Sequence, residues 1–379
     1  MAAKSKSLPR TAARPGILPS QDYRAFFKSG VISARTKLRD DQIQPASIDL
    51  RLGAKAWRVP AGFLPGPHAK VADKLKLLAM HTLDLAKGAV LERGCVYIVE
   101  LAERLDLPAD VAGTANPKST TGRLDIFTRL LSDRAREFEK VPAGYKGPLY
   151  LEVSPRTFSI LAREGQALNQ LRLRRGAPDF DDVALAALDK KLHLVFAPGD
   201  KRELAQIGQG LMVTIDLEGP ETDLIGYRAR RNTPLIDLSK IGHYDAAEFW
   251  EPIRRNKTRS LILNLDDFYI LVSREQIRVP HDYAAEMVPY DTSVGEFRVH
   301  YAGFFDPGFG FGGASEIQGT RAVLEVRSHD VPFLLEHGQV VGRFVYEKLT
   351  QTPDRIYGRD IGSNYQRQTL KLAKQFKSV

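Results

Sequence analysis

Hydrophobic and polar positions alternate along this chain in many short runs, and turn residues separate one run from the next. Such alternation is typical of strands with one buried face, and frequent Gly, Pro and Asp between runs indicate tight connections. Six runs are the clearest: Val96–Glu100, Leu149–Val153, Leu168–Leu173, Tyr269–Val272, Ala322–Val326 and Val340–Tyr346. Two segments, Gln21–Ser29 and Phe180–Lys191, have apolar residues at helical spacing. The pattern predicts a mainly β fold of sandwich or barrel-like jelly-roll type, with a few short helices.

The two halves of the chain repeat one ordered pattern of residues. Pro108 in the first half corresponds to Pro280 in the second, and Glu152 corresponds to Glu325, at a nearly constant separation. Order that holds over many positions indicates an internal duplication. The expected organisation is a disordered tail at residues 1–15, domains at 16–175 and 176–349 with a boundary at Arg174–Pro178, and a C-terminal tail at 350–379.

Bulk properties narrow the class of protein. A length of 379 residues exceeds the usual size of a domain with a single hydrophobic core, so two domains are expected. No apolar run is long enough for a membrane-spanning helix, and the basic N-terminus lacks the apolar stretch of a secretory signal. The single cysteine, Cys95, rules out an intrachain disulfide, so we expect a cytoplasmic protein.

The net charge of +9 favours a polyanionic partner, which could be a nucleic acid or a small polyanion. Basic residues are dense only at Arg228–Arg231 and in the C-terminal tail, and no zinc-finger or RNA-binding signature accompanies them. We therefore expect neither a nucleic-acid partner nor a membrane partner.

One loop combines small hydroxyl residues, a glycine and two cations. Such a loop lets backbone N–H groups approach an anion while lysine and arginine supply positive charge. Its members are Lys118, Ser119, Thr120, Thr121, Gly122 and Arg123. The loop lacks the spacing of a Walker A motif, and a plain polar loop could have the same composition.

A glutamate interrupts an apolar strand in each half. Glu152 stands in Leu149–Val153, and Glu325 stands in Leu324–Val326. A carboxylate that faces inward acquires a raised pKa, as a general base or acid requires, whereas an outward one would form an ordinary ion pair. The histidines are scattered and no paired cysteines follow an HxE motif, which disfavours zinc chemistry.

Three blocks and the C-terminal tail resemble the dCTP deaminases, which belong to the dUTPase-like superfamily of distorted β-barrels or jelly rolls. The blocks are Gln44–Gly53, Pro117–Arg123 and Gly147–Val153, and the tail segment is Tyr357–Gln368. The closest resemblance is to the double-length bacterial form. It implies two tandem dUTPase-like domains and a tail that closes over the bound nucleotide.

The resemblance implies hydrolytic deamination of dCTP to dUTP and ammonia, which supplies dTTP synthesis. Glu152 would activate water for attack on C4 of cytosine, with Glu325 as the alternative. No zinc takes part, and Mg²⁺ accompanies the triphosphate. The implied substrate-binding residues are Lys118, Ser119, Thr120, Thr121, Gly122, Arg123, Arg134, Tyr150, Leu151, Asp306, Tyr357, Asn364 and Gln368.

Neither half carries the complete set of family residues. The first half reads Pro142–Tyr145 before the catalytic strand and lacks the aspartate that the family has there, whereas the second half keeps it as Asp306. The second half has Glu296 where the first has Arg123. Two arrangements follow: the first half alone is catalytic, which we favour, or the site is composite and uses Asp306 and Glu325.

The family forms homotrimers with sites at subunit interfaces, so the resemblance favours a trimer over a dimer. It also implies binding of dCTP, dUTP and dTTP. Two other functions stay open. One is a dUTP pyrophosphatase, alone or combined with deamination, in which the loop aspartate acts as the base. The other is a nucleotide sensor without catalysis.

Overall fold

The computed structural model describes residues 14–177, 180–219, 222–289, 297–299, 303–311, 319–328, 331–358 and 370–378. Most residues of the N-terminal tail lie outside these ranges, and so do Glu296, Asn364 and Gln368. The predictions made for these three residues therefore stay predictions.

The first half folds around one large antiparallel sheet, in which β8, β10, β6, β3, β12, β7 and β9 are neighbours in that order. The strands of this half are β1 (Gly16–Ile17), β2 (Ile32–Ala34), β3 (Ile48–Val59), β4 (His81–Asp84), β5 (Ala89–Leu91), β6 (Val96–Asp106), β7 (Val111–Pro117), β8 (Ile126–Ser132), β9 (Lys140–Val141), β10 (Lys146–Pro155), β11 (Ile160–Ala162) and β12 (Ala167–Arg175). Its helices are α1 (Ser20–Ser29), α2 (Val71–Leu78) and α3 (Ser119–Gly122), with a 3₁₀ turn at Asp40–Gln42.

The second half has two main sheets. One runs β14-β13-β20-β16-β18 with β24 beside β20, and the other runs β15-β26-β21-β23. The strands are β13 (Val195–Ala197), β14 (Lys201–Arg202), β15 (Leu211–Thr214), β16 (Leu224–Ala229), β17 (Ile236–Asp237), β18 (Trp250–Arg254), β19 (Ser260–Leu263), β20 (Phe268–Ile277), β21 (Tyr283–Pro289), β22 (Phe297–Val299), β23 (Gly303–Phe305), β24 (Thr320–Ser328), β25 (Phe333–Glu336) and β26 (Val340–Lys348). Its helices are α4 (Asp182–Leu192) and α5 (Ala246–Phe249).

The mainly β prediction is confirmed, and each of the six predicted strands lies within an observed one. Helix α1 begins one residue before the predicted segment. Helix α4 begins two residues later than predicted because Asp181 caps it: the Asp181 carboxylate accepts a hydrogen bond of 2.8 Å from the Ala184 amide. Phe180 therefore precedes the helix.

Strand β24 separates two environments by simple alternation. Ala322, Leu324 and Val326 pack into the core of the second half. Val323 points the other way, belongs to the apolar cluster that joins residues of both halves, and lines a cavity together with Leu124 and Ile126 of the first half. Because side chains two apart share a face of a strand, Glu325 must also point toward the first half.

The two halves contact each other through backbone and side-chain bonds. Strand β11 pairs in parallel with β17, joining Ile160 to Ile236. The buried Arg172 guanidinium donates to the Ala285 carbonyl at 3.0 Å, and the Asn116 amide donates to the Glu286 carboxylate at 2.8 Å. Polar groups that are buried at a junction need such partners, so these bonds fix how the halves face each other.

The end of the chain returns to the junction. Leu372, Ala373 and Phe376 pack into the apolar cluster that joins residues of both halves, and Phe376 contacts the rings of Phe249 and Trp250. The Gly242 amide donates to the Lys374 carbonyl at 2.9 Å, so Lys374 has a defined place at the junction. Among the described residues, no helix has both the length and the hydropathy to cross a membrane.

Candidate active site

A cavity of about 810 Å³ lies between the two halves, within the size range of small-molecule sites. Both halves contribute titratable side chains to its wall. They include Asp49, Lys118, Arg123, Asp306, Glu325, Tyr357 and Lys374.

The loop predicted to bind phosphate lines this cavity as a short helical turn, α3. The Thr121 and Gly122 amides both donate to the Lys118 carbonyl, at 2.8 and 3.0 Å. The Thr121 hydroxyl donates to the Leu168 carbonyl at 2.7 Å. The turn itself uses the amides of Thr121 and Gly122, so these two amides do not point to an anion, and the predicted cradle of backbone amides stays a prediction. What the loop presents is the charge of Lys118 and Arg123 and the exposed Ser119 hydroxyl.

Lys118 forms an ion pair with Asp49 on β3, and the aspartate is nearly fully buried. Burial raises the pKa of Asp49, and the neighbouring ammonium of Lys118 lowers it again. The sequence reasoning did not single out Asp49. Its signal was a lone acidic residue within the apolar run Ile48–Leu50, in a block that resembles the family.

Glu325 enters the cavity from the face of β24 that points toward the first half. Its Oε1 lies 3.9 Å from Nε of Arg123, and both side chains are buried. Burial raises the pKa of Glu325 to about 7, although the Arg123 charge opposes the rise. Arg123 is held in place by donating from Nη1 to the Lys371 carbonyl at 2.9 Å.

Asp306 and Tyr357 lie on the same wall. Burial raises the pKa of Asp306 to about 6, while Arg172, whose Nη2 is 3.5 Å away, lowers it. Gly308 has φ +97, and the Tyr357 amide donates to the Pro307 carbonyl at 3.0 Å. A Cβ at position 308 would collide with Ile356, so glycine there lets the tail lie against this turn.

Glu152 does not reach this cavity. Its Oε1 accepts two hydrogen bonds from Arg129, at 3.0 Å from Nε and 2.7 Å from Nη2, and only 2% of the residue is exposed. The chain at Gly62 covers it so closely that a Cβ there would collide with Oε2 of Glu152. Burial raises the pKa of Glu152, and Arg129 opposes the shift. Within one chain, the structure does not bring Glu152 and the Lys118–Arg123 loop together. The favoured arrangement, whose sites the family resemblance places at subunit interfaces, stays a prediction.

Three other predicted residues also lie outside the cavity. Tyr150 packs beside Val59 in a small apolar cluster, Leu151 belongs to the core of the first half, and Arg134 is exposed on a turn. The alternation of β10 places Tyr150 on the same face as Glu152, so both turn away from the second half. The residues of the composite arrangement, which are the Lys118–Arg123 loop, Asp306 and Glu325, line the same cavity.

Lys374 adds a cation that the sequence reasoning missed. Burial and the nearby charge of Lys118 lower its pKa. Within the described part of the chain, no carboxylate lies at ion-pair distance from its ammonium group. Only its position in the basic C-terminal tail could have signalled it. The described residues also contain no group of three His, Cys, Asp or Glu side chains placed to hold a metal ion.

Comparison with known proteins identifies the group to which the chain is similar. A dCTP deaminase from Halorubrum lacusprofundi is 31% identical over 116 residues, which is 30% of this chain and 54% of that relative. A "dCTP deaminase, dUMP-forming" from Halobacterium salinarum is 34% identical over 28% of this chain and 52% of that relative. The chain thus spans about half the length of these two relatives.

A solved structure covers far more of the chain. The crystal structure of 2'-deoxycytidine 5'-triphosphate deaminase from Agrobacterium tumefaciens is 53% identical and has a TM-score of 0.84, over 88% of this chain and 99% of that one. Two family models also match, the N-terminal domain of 2'-deoxycytidine 5'-triphosphate deaminase over residues 14–177 and its C-terminal domain over residues 181–376. Since these models together match most of the sequence, the chain belongs to the 2'-deoxycytidine 5'-triphosphate deaminase family.

Proposed function

We propose that this protein deaminates dCTP to dUTP and ammonia at the cavity between its halves. The observation that carries the proposal is the meeting of the buried Glu325 with the cations Lys118 and Arg123 in one cavity. A carboxyl whose pKa is about 7 can take up and release a proton near neutral pH. Lysine and arginine are the side chains that best hold a triphosphate.

In the proposed reaction Glu325 accepts a proton from a water molecule while the water oxygen bonds to C4 of cytosine. The protonated carboxyl then gives the proton to the amino group, the bond from C4 to this nitrogen breaks, and ammonia leaves. The remaining hydroxyl proton moves to N3, which gives uracil. Water and dCTP thus account for all atoms of dUTP and ammonia. Asp306 accepts a hydrogen bond from the sugar 3′-hydroxyl, as the family resemblance implies, and Tyr357 closes the wall beside it.

Two glutamine substitutions test the assignment of the base. We expect Glu325→Gln to lower the rate of ammonia release from dCTP about a thousandfold or more, because an amide cannot accept the proton. Glu152→Gln should keep the rate within about threefold of wild type, since Glu152 lies outside the cavity. The reverse result would restore the first half as the catalytic unit. dCTP binding without ammonia or pyrophosphate release would indicate a sensor.

We infer that magnesium arrives with the triphosphate and that water activation needs no zinc. The carboxylate in the cavity, Glu325, supplies the base that zinc-bound hydroxide would otherwise provide. Purified protein treated with 1,10-phenanthroline should therefore keep its activity when Mg²⁺ is present. Loss of activity that returns only with added Zn²⁺ would contradict this inference.

A second candidate activity is hydrolysis of dUTP to dUMP and pyrophosphate. Asp306 favours it, because a buried carboxyl with a pKa of about 6 in the same cavity can serve as a base for water. Relatives named "dCTP deaminase, dUMP-forming" are consistent with this activity. With dCTP as substrate, pyrophosphate release that Asp306→Asn abolishes while ammonia release continues would establish it.

A further inference from the structure

A second cavity, of about 390 Å³, lies at another part of the junction and shares no lining residue with the first. Five arginines line it: Arg93 and Arg156 from the first half, and Arg230, Arg231 and Arg327 from the second. Only two carboxylates, those of Asp266 and Asp267, line it as well. The basic run Arg228–Arg231, which the proposed function does not use, thus contributes to a concave surface.

Three of these arginines have partners within the protein. Arg231 pairs with Asp267 at 2.8 Å, and Arg230 pairs with Glu251 at 3.1 Å. Arg327 is buried, pairs with Asp125 and donates to the Thr157 hydroxyl at 2.9 Å. Its Nε is buried without a hydrogen-bond partner among the described residues.

Arg93 and Arg156 are different, because within the described residues neither guanidinium has a carboxylate at ion-pair distance. Both are exposed on the wall of the cavity. Asp266, which lines the cavity and has no ion pair among the described residues, offsets one of these two charges. The remaining positive charge favours an incoming anion. Guanidinium groups bind phosphate oxygens through paired hydrogen bonds, so phosphate is the chemistry that fits best.

The shape of the cavity distinguishes a small ligand from a polymer. A recess of this volume falls within the range of small-molecule pockets, whereas a nucleic acid needs an extended basic stripe. We propose that this cavity binds a linear triphosphate, free or as part of a nucleotide, at a site separate from the candidate active site. Arg93 and Arg156 supply the uncommitted charge, and Arg327 forms the base of the recess.

Calorimetric titration of the full chain with inorganic tripolyphosphate tests the proposal. The wild-type protein should show two binding events. Changing both Arg93 and Arg156 to alanine should weaken one event at least tenfold and leave the KM for dCTP unchanged. Lys118→Ala should remove the other event. Arg136→Ala, which changes an exposed arginine outside both cavities, serves as the control and should keep both.

The variants spare Arg327 because it also holds Asp125, and its loss could unfold the junction. A wild-type protein whose only binding event is lost in Lys118→Ala, or a double variant that keeps every event of the wild type, would overturn the proposal. A single event that is lost only in the double variant would support this site and contradict the proposed triphosphate site at Lys118. Titration with ATP then identifies the source of the phosphate. If ATP binds more tightly than tripolyphosphate and its binding also depends on Arg93 and Arg156, the natural ligand is a nucleotide. If the two affinities are equal, the ligand is a free polyphosphate. Binding of duplex DNA through these arginines without any tripolyphosphate event would refute the small-ligand site.

Discussion

The two strand glutamates, Glu152 and Glu325, lie in different surroundings. Glu152 shares one oxygen with two nitrogens of Arg129 and lies beneath the chain at Gly62. Glu325 faces Arg123 at 3.9 Å across an open cavity. Burial raises the pKa of both carboxyls, so ionisation of either one costs stability. The difference is that Glu152 is covered by the chain, whereas Glu325 borders a cavity and can meet a substrate.

Glu325 should couple stability to pH. Its pKa is about 7 in the folded protein and near 4.5 when exposed, so the folded state binds more protons between these values. Stability must therefore fall as pH rises from about 4.5 to about 7. Glu325→Gln removes this contribution, and we expect the variant to gain on the order of 2–3 kcal/mol over wild type at pH 8. Urea unfolding at pH 5 and pH 8 measures the difference.

The exposed Glu137 provides the control for this measurement, since Glu137→Gln should leave the pH dependence of unfolding as in wild type. Asp306, whose pKa is about 6, acts in the same direction and leaves a residual slope in the Glu325→Gln variant. If the Glu325→Gln variant and the wild type are equally stable at pH 8, ionisation of Glu325 does not destabilise the folded protein.

At the scale of elements, alternation along a strand selects what each side chain meets. Tyr150 and Glu152 share the face of β10 that packs under the segment around Gly62 and helix α2. Val323 and Glu325 share the face of β24 that turns toward the first half. The segment between β3 and β4 therefore covers Glu152, whereas Glu325 borders the cavity.

The C-terminal segment at residues 370–378 is an element of the candidate site, because its apolar residues anchor it and thereby place Lys374. We expect Lys374→Ala to raise the KM for dCTP about tenfold with little change in kcat, since the ammonium would contact the triphosphate in substrate and transition state alike. Steady-state kinetics of ammonia release provide the measurement. Lys377→Ala, an exposed lysine three residues later, should behave as wild type, and an equal effect of both variants would indicate a general effect of charge.

At the scale of the whole molecule, the candidate site depends on the docking of two halves within one chain. The loop of the first half supplies Lys118 and Arg123, and the second half supplies Asp306 and Glu325. One chain therefore provides every described member of the proposed machinery. The trimer that the family resemblance favours stays a prediction, which sedimentation equilibrium can measure.

Complementation tests whether the site forms within one chain. Differently tagged Lys118→Ala and Glu325→Gln chains, co-expressed and purified as a mixed species, should stay as inactive as either variant alone. A site built between chains would instead regain activity well above the sum of the two. Co-expression of a wild-type chain with either variant serves as the control for recovery of active protein.

The local pattern of the chain was sufficient to predict its β-rich halves, its strand glutamates and the cations of its loop. These features follow from side-chain type and short-range periodicity, which consecutive residues record. Tertiary structure alone decided which glutamate meets the loop. That outcome depends on which face of β10 or β24 is covered, and residues far away in the chain provide the cover. For the same reason Asp49 and Lys374 join the site only when the junction has formed.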